Sequence, residues 1–144
     1  MGDKLTDDFS CGVIPYRVIN GEREFLLVRH KAGHWAFPKG HPEDAEEHAE
    51  TARRELEEEA GIGRVELDES RPFEEQYVFT KRSGKRVRKV VVYFVGAVGA
   101  GQSVRLQASE VSDFAWGDAE ATRKRMTFDE GRTLLDEVVA YLDR

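Results

Sequence analysis

The sequence contains one cysteine, Cys11, so no intrachain disulfide can form. That suits a reducing cytoplasm, and Cys11 is expected to pack in a strand rather than act as a reactive thiol. No apolar run approaches the roughly 18 residues of a membrane-spanning helix. The opening MGDKLTDDFSCG lacks the apolar stretch of a signal peptide, and Gly2 is not read as a myristoylation site. Repeats, low-complexity tracts and linkers are missing too, so residues 1–144 are expected to form one domain with a sizeable core. Positive charge is in deficit: the net charge of −6 argues against general nucleic-acid binding. It leaves room for a local basic pocket.

What is present alternates between strand and helix signals. Residues 10–18 and 24–30 read as two strands joined at Asn20-Gly21, a strong hairpin signal. A Gly/Pro/His loop follows from His30 to Pro42. Asp44 with Glu47 fits a capping box, so a helix is expected from about residue 45, with a buried stripe of Ala45, Ala49, Ala52, Leu56 and Ala60. Gly61 suits the left-handed residue that ends it. Residues 72–81 and 87–98 read as long strands, the second almost wholly apolar and therefore central. A short strand is expected at 111–116. A last helix is expected from Thr127, with Glu130 completing a capping box and Leu134, Leu135, Val138, Tyr141 and Leu142 buried. This order predicts an α/β fold with a mixed central sheet and helices on both faces.

The densest chemistry lies on the first helix. Glu55, Glu58 and Glu59 stand at i, i+3 and i+4 and share one face, where each like-charged pair costs a few tenths of a kcal/mol, roughly. A counter-ion would offset that cost, and hard carboxylate oxygens favour Mg²⁺ or Mn²⁺. Spacing sharpens the reading. Gly40 is followed by five residues and Glu46, then seven residues and Arg54-Glu55-Leu56, then Glu58-Glu59, Gly61 and Ile62. This stretch, 40–62, resembles the signature of the Nudix hydrolases at every fixed position. The resemblance implies a Nudix-type α/β/α sandwich and a Mg²⁺-dependent hydrolase of phosphoanhydrides. It also implies metal ligation by Glu55, Glu58, Glu59 and the carbonyl of Lys39. Arg54 would orient a catalytic carboxylate. Glu58 is the preferred general base, and Glu110, in the loop where the family often carries a fourth carboxylate, competes for that role. Glu46 is expected to brace the loop.

Further residues point to the substrate. Pro38-Lys39-Gly40-His41 resembles the entry to this motif in the dinucleoside polyphosphate hydrolases. Lys39 supplies an ammonium beside the carboxylates, and His34 on the same loop could donate to a phosphate when protonated. His41 is expected to be structural, and His30 and His48 to pack or face solvent. Tyr77 and Phe79 alternate onto one strand face; the same resemblance implies that aromatics here stack on an adenine, which makes both candidates for that role. Lys81, Arg82, Lys85, Arg86, Arg88 and Lys89 form a basic run in an acidic chain. By resemblance, Lys89 would bind phosphate and the others remain at the surface. The expectation is hydrolysis of diadenosine tetra- to hexaphosphate, releasing a nucleoside triphosphate, by a cytoplasmic monomer or homodimer without nucleic-acid or membrane partners. A diphosphoinositol polyphosphate or capped-RNA hydrolase is one alternative. A non-catalytic nucleotide-binding sensor is another.

Overall fold

The computed structural model describes residues 5–144; Gly2 lies outside them. The chain order is β1 (Thr6–Ile19), β2 (Glu22–His30), β3 (Trp35–Ala36), β4 (Lys39–Gly40), α1 (His48–Ala60), β5 (Val65–Thr80), β6 (Arg86–Val98), β7 (Val111–Gly117), α2 (Ala119–Arg125) and α3 (Asp129–Leu142). Among the described residues the strands form one seven-stranded sheet in the order β3-β2-β1-β6-β5, with β4 on β1 and β7 on β2. β1 and β6 run parallel from Thr6↔Val87 to Tyr16↔Ala97, while the other pairings are antiparallel. The sheet is therefore mixed, as expected.

Alternation along each strand sorts the core into two halves. Ile14, Phe25, Leu27 and Tyr93 pack with Leu134, Leu135 and Val138 of α3. Their neighbours Val13, Leu26 and Phe94 pack on the other face with Ala52, Leu56 and Ala60 of α1. Cys11 is fully buried on the α1 side. The first hairpin turns through Asn20 and Gly21, with φ of 51° and 80°, the positive pair that a tight two-residue turn requires.

Several boundaries differ from expectation: β1 starts at Thr6 rather than residue 10, and the short strands β3 and β4 fall in the stretch expected to be a loop. α1 starts at His48, and its capping box is Glu47 with Glu50. Ala45 has φ of 59°, a left-handed conformation that breaks any helix begun at 45 and removes that residue from the stripe. α3 starts at Asp129 because Thr127 is engaged elsewhere: its hydroxyl accepts from the Trp35 amide at 2.8 Å. β5 starts at Val65 and passes an irregularity between Asp68 and Phe73 before the expected segment. α2 was not expected; its sequence AEATRKR buries only Thr122 and offers no apolar stripe. No described helix is long and apolar enough to cross a membrane.

Candidate active site

Helix α1 gathers the acidic residues. Ala52, Leu56 and Ala60 bury against the sheet and fix its rotation, so Glu55, Glu58 and Glu59 face the loop that carries Lys39 and Gly40. Arg54 balances their charge. Its Nε and Nη2 donate to the two oxygens of Glu46 at 2.8 and 3.0 Å. Its Nη1 donates to Glu55 at 3.0 Å and Glu58 at 3.1 Å. Glu50, also one turn away, instead accepts at the helix cap from the Glu47 amide. Glu46 braces the loop, accepting from the Glu43 amide at 2.8 Å and the Thr51 hydroxyl at 2.9 Å. Its bonds to Arg54 hold its carboxyl down to about 2.

The three α1 carboxylates are not equivalent. Glu58 is the open one, with 47% of its side chain exposed. Glu55 is half-buried, and burial raises its pKa. Glu59 is buried; its Oε1 accepts from the Lys39 amide at 3.0 Å, and burial pushes its carboxyl up to about 8. His30 packs beside it, Nδ1 lying 3.9 Å from Oε2, and burial drives this imidazole down to about 3. His30 therefore packs, as expected, but it packs into the wall of the site.

These groups line a cavity of about 440 Å³ together with Lys39, Lys89 and Glu110. Glu110 stands at its exposed rim, where its charge acts on both Glu55 and Glu59. Lys89 is buried, with Nζ bonded to Asp8 Oδ2 at 2.9 Å and Ser10 Oγ at 2.5 Å. Asp8 also meets His41 Nε2 at 2.9 Å. Burial, then the neighbouring Lys89 charge, lowers the pKa of Lys39. The rest of the basic run stays at the surface, Arg88 pairing with Asp7 at 2.8 Å.

The residues suit a divalent cation. Carboxylate oxygens are the hard donors that Mg²⁺ and Mn²⁺ take. Gly40 leaves space that this chemistry needs, since a Cβ there would collide with the Glu55 carboxylate. Among the described residues, no three His, Cys, Asp or Glu groups converge as a ready ligand set. Glu55 and Glu58 turn to Arg54, and Glu59 turns to the Lys39 amide. Ligation would need side-chain rotation, which staggered rotamers permit.

A second cleft adjoins the first, and Lys39 lines both. Its walls include His34, Tyr77 and Phe128. The Tyr77 and Phe128 rings lie 6.4 Å apart at 24°. Burial pushes the Tyr77 phenol up to about 12. His34 stacks on His30 at 4.8 Å; burial and then the Lys39 charge lower its pKa, disfavouring the protonated donor expected of it. A neutral ring still offers one N–H. Phe79 lies 6.1 Å from Tyr77 but is 38% exposed and does not line the cleft. Phe128, Glu75, Asp8 and Ser10 were not singled out in the sequence. Glu75 could have been, because it shares the Tyr77 face by strand alternation. Phe128 precedes a helix with no local signal, and only the fold brings it to Tyr77.

An α/β/α sandwich that brings a carboxylate helix and the lysines Lys39 and Lys89 to one cavity is the frame of a phosphoanhydride hydrolase. Residues 12–137 match the NUDIX domain, and the chain belongs to that family. It is 30% identical over 135 residues to the asymmetrical bis(5′-nucleosyl)-tetraphosphatase of Caenorhabditis elegans, covering 92% of this chain and 95% of that protein. It is 31% identical over 142 residues to the mouse protein of the same name, covering 92% and 94%. A C. elegans Ap4A hydrolase binary complex superposes with a TM-score of 0.83 at 29% identity, over 94% of this chain and 97% of that one. The Escherichia coli dihydroneopterin triphosphate pyrophosphohydrolase shares the fold, with a TM-score of 0.74 at 20% identity.

Proposed function

We propose that this Nudix hydrolase cleaves dinucleoside polyphosphates asymmetrically, with diadenosine tetraphosphate as the model substrate. The observation that carries the reading is the pairing of two clefts through Lys39: carboxylates and buried ammonium groups on one side, aromatic rings on the other. A polyphosphate with a base at its end has this same sequence of demands. The named relatives act on such a substrate by their names. The Tyr77 and Phe128 rings lie 6.4 Å apart over a cleft of about 20 Å³, so a base would enter between them only as the rings spread to admit it.

Glu55, Glu58, Glu59 and the Lys39 carbonyl would hold Mg²⁺, with Mn²⁺ as a substitute. The cation supplies charge neutralisation on phosphate oxygens and acidification of water. Lys39 and Lys89 offset phosphate charge from the protein side. Glu58, the exposed carboxylate, takes the proton of the attacking water while Arg54 orients it; Glu110 at the rim is the competing base. The water oxygen bonds to phosphorus, the bridging P–O bond breaks, and the tetraphosphate yields ATP and AMP. Nothing in this reaction calls for nucleic acid or a membrane, and the free thiol of Cys11 suits the cytoplasm.

Incubation with diadenosine tetraphosphate and Mg²⁺, followed by anion-exchange chromatography, tests the reading. ATP and AMP should appear together and vanish with EDTA. Glu58→Gln should lower kcat by about a hundredfold or more with the fold retained. Wild-type rates in that variant would remove Glu58 from the chemistry. The basic hairpin favours one second reading, a diphosphoinositol polyphosphate substrate, and including that compound in the panel separates the two.

A further inference from the structure

The aromatic cleft contains a carboxylate that phosphate hydrolysis does not use. Glu75 lies on β5 two residues before Tyr77 and shares its face. It lines the cleft with Tyr77, Phe128 and Glu130. One of its oxygens sits 3.7 Å from where a Cβ on Gly131 would stand, so the carboxylate rests over the first turn of α3. Burial pushes its carboxyl up to about 7; the Lys39 charge opposes that rise and Glu130 adds to it. Its carboxylate keeps some contact with solvent, so a ligand group that displaces that water must donate to it in exchange. Phosphate cannot be that donor, because phosphate oxygens and the carboxylate repel. The ligand part that suits both the flanking rings and an acceptor is a base bearing an amino group.

We propose that Glu75 selects the base. Its carboxylate accepts a hydrogen bond from the exocyclic amino group of a 6-aminopurine held between Tyr77 and Phe128, so adenine is preferred over the 6-oxo base hypoxanthine. The inference rests on the dinucleotide reading above. A 6-oxo base sets its oxygen where adenine has the amino group, against an ionised carboxylate that only accepts, and its own donor, N1–H, stands at a different position on that edge. A site built to bond one substrate group rejects an analogue lacking it more strongly than an apolar pocket does.

The test compares kcat/KM for diadenosine and diinosine tetraphosphate at about pH 8.5, where the carboxyl is ionised. Wild type should favour the adenine substrate by about tenfold or more. Glu75→Gln, whose amide both donates and accepts, should bring the ratio to within about twofold. Equal kcat/KM in the wild type would overturn the proposal without requiring any variant to fold. An unchanged ratio in Glu75→Gln, with both substrates slowed alike, would assign Glu75 to tuning Lys39 and also overturn it. Cleavage of neither dinucleotide would defeat the dinucleotide reading by itself. Calorimetric Kd values for ATP and ITP would then decide the base question. A preference for ATP that Glu75→Gln abolishes supports the proposal, and equal affinities overturn it.

Discussion

At the scale of single residues, the site depends on space as much as charge. Gly40 carries no positive φ, so glycine is not needed there for backbone freedom. It is needed because Glu55 occupies the volume a side chain would fill. Gly40→Ala should therefore displace Glu55 and lower kcat about a hundredfold, since a shift near 1 Å in a catalytic group has that effect. Steady-state kinetics with circular dichroism would check it; an unchanged kcat would show that the Glu55 position is dispensable. The carboxylate triad and Arg54 could be read from spacing alone, because helical periodicity places them. The Arg54 preference for Glu46, Glu55 and Glu58 over Glu50 could not, since it depends on a loop that folds back onto the helix. The same holds for Lys89: charge marked it, but its bonds to Asp8 and Ser10 cross from β6 to β1.

At the scale of elements, the loop from His30 to Pro42 and the start of α3 form a joined pair. The Trp35 amide donates to the Thr127 hydroxyl at 2.8 Å, and the Thr127 amide donates to the Trp35 carbonyl at 3.3 Å. α2 adds Arg125, whose guanidinium lies 4.9 Å over the Trp35 ring. His34 and Phe128, the neighbours of this clamp, line the same cleft. Thr127→Val removes the hydroxyl acceptor and keeps the shape. It should raise KM for a dinucleotide several-fold while kcat stays near wild type. A fall in kcat at constant KM would show that the clamp serves the chemistry instead. The strands β2, β6 and β7 and the end of α1 were legible to within a few residues, whereas β5 begins well before its expected start and the two-residue β3 and β4 fall in the stretch read as a loop. The misplaced starts have local causes: the left-handed Ala45, and Thr127 spent on Trp35 rather than on a cap. α2 was illegible because a seven-residue charged helix capped by Asp118 has no apolar period to detect.

For the whole molecule, buried carboxyls set the response to pH. Glu59 and Glu75 rise in the fold from 4.5 to about 8 and about 7. Groups raised in this way stabilise the fold fully below pH 4.5, and the contribution is lost as pH climbs through 7 and 8. His30, lowered from 6.5 to about 3, and Glu46, lowered from 4.5 to about 2, act oppositely and contribute in full above pH 6.5. Of these four groups, Glu59 and Glu75 are the ones whose folded-state titration falls between about pH 6.5 and 8.5, and their contribution should lower Tm of the metal-free protein across that window. Added Mg²⁺ competes with the proton for the carboxylates and should raise Tm more at the upper end than the lower. Differential scanning calorimetry at both ends, with and without Mg²⁺, would measure this. A Mg²⁺ effect independent of pH would exclude Glu59 from metal binding.

Among the described residues, Lys39 is the one side chain common to the linings of the two clefts. With bond-breaking in the first cleft and ligand choice in the second, as proposed, the two tasks fall on almost separate sets of residues. On the proposed reading, changes at Tyr77, Phe128 or Glu75 would redirect the enzyme to a new nucleoside while the hydrolytic apparatus on α1 is inherited whole. A designer wishing to alter specificity has the same freedom, and one position to leave untouched.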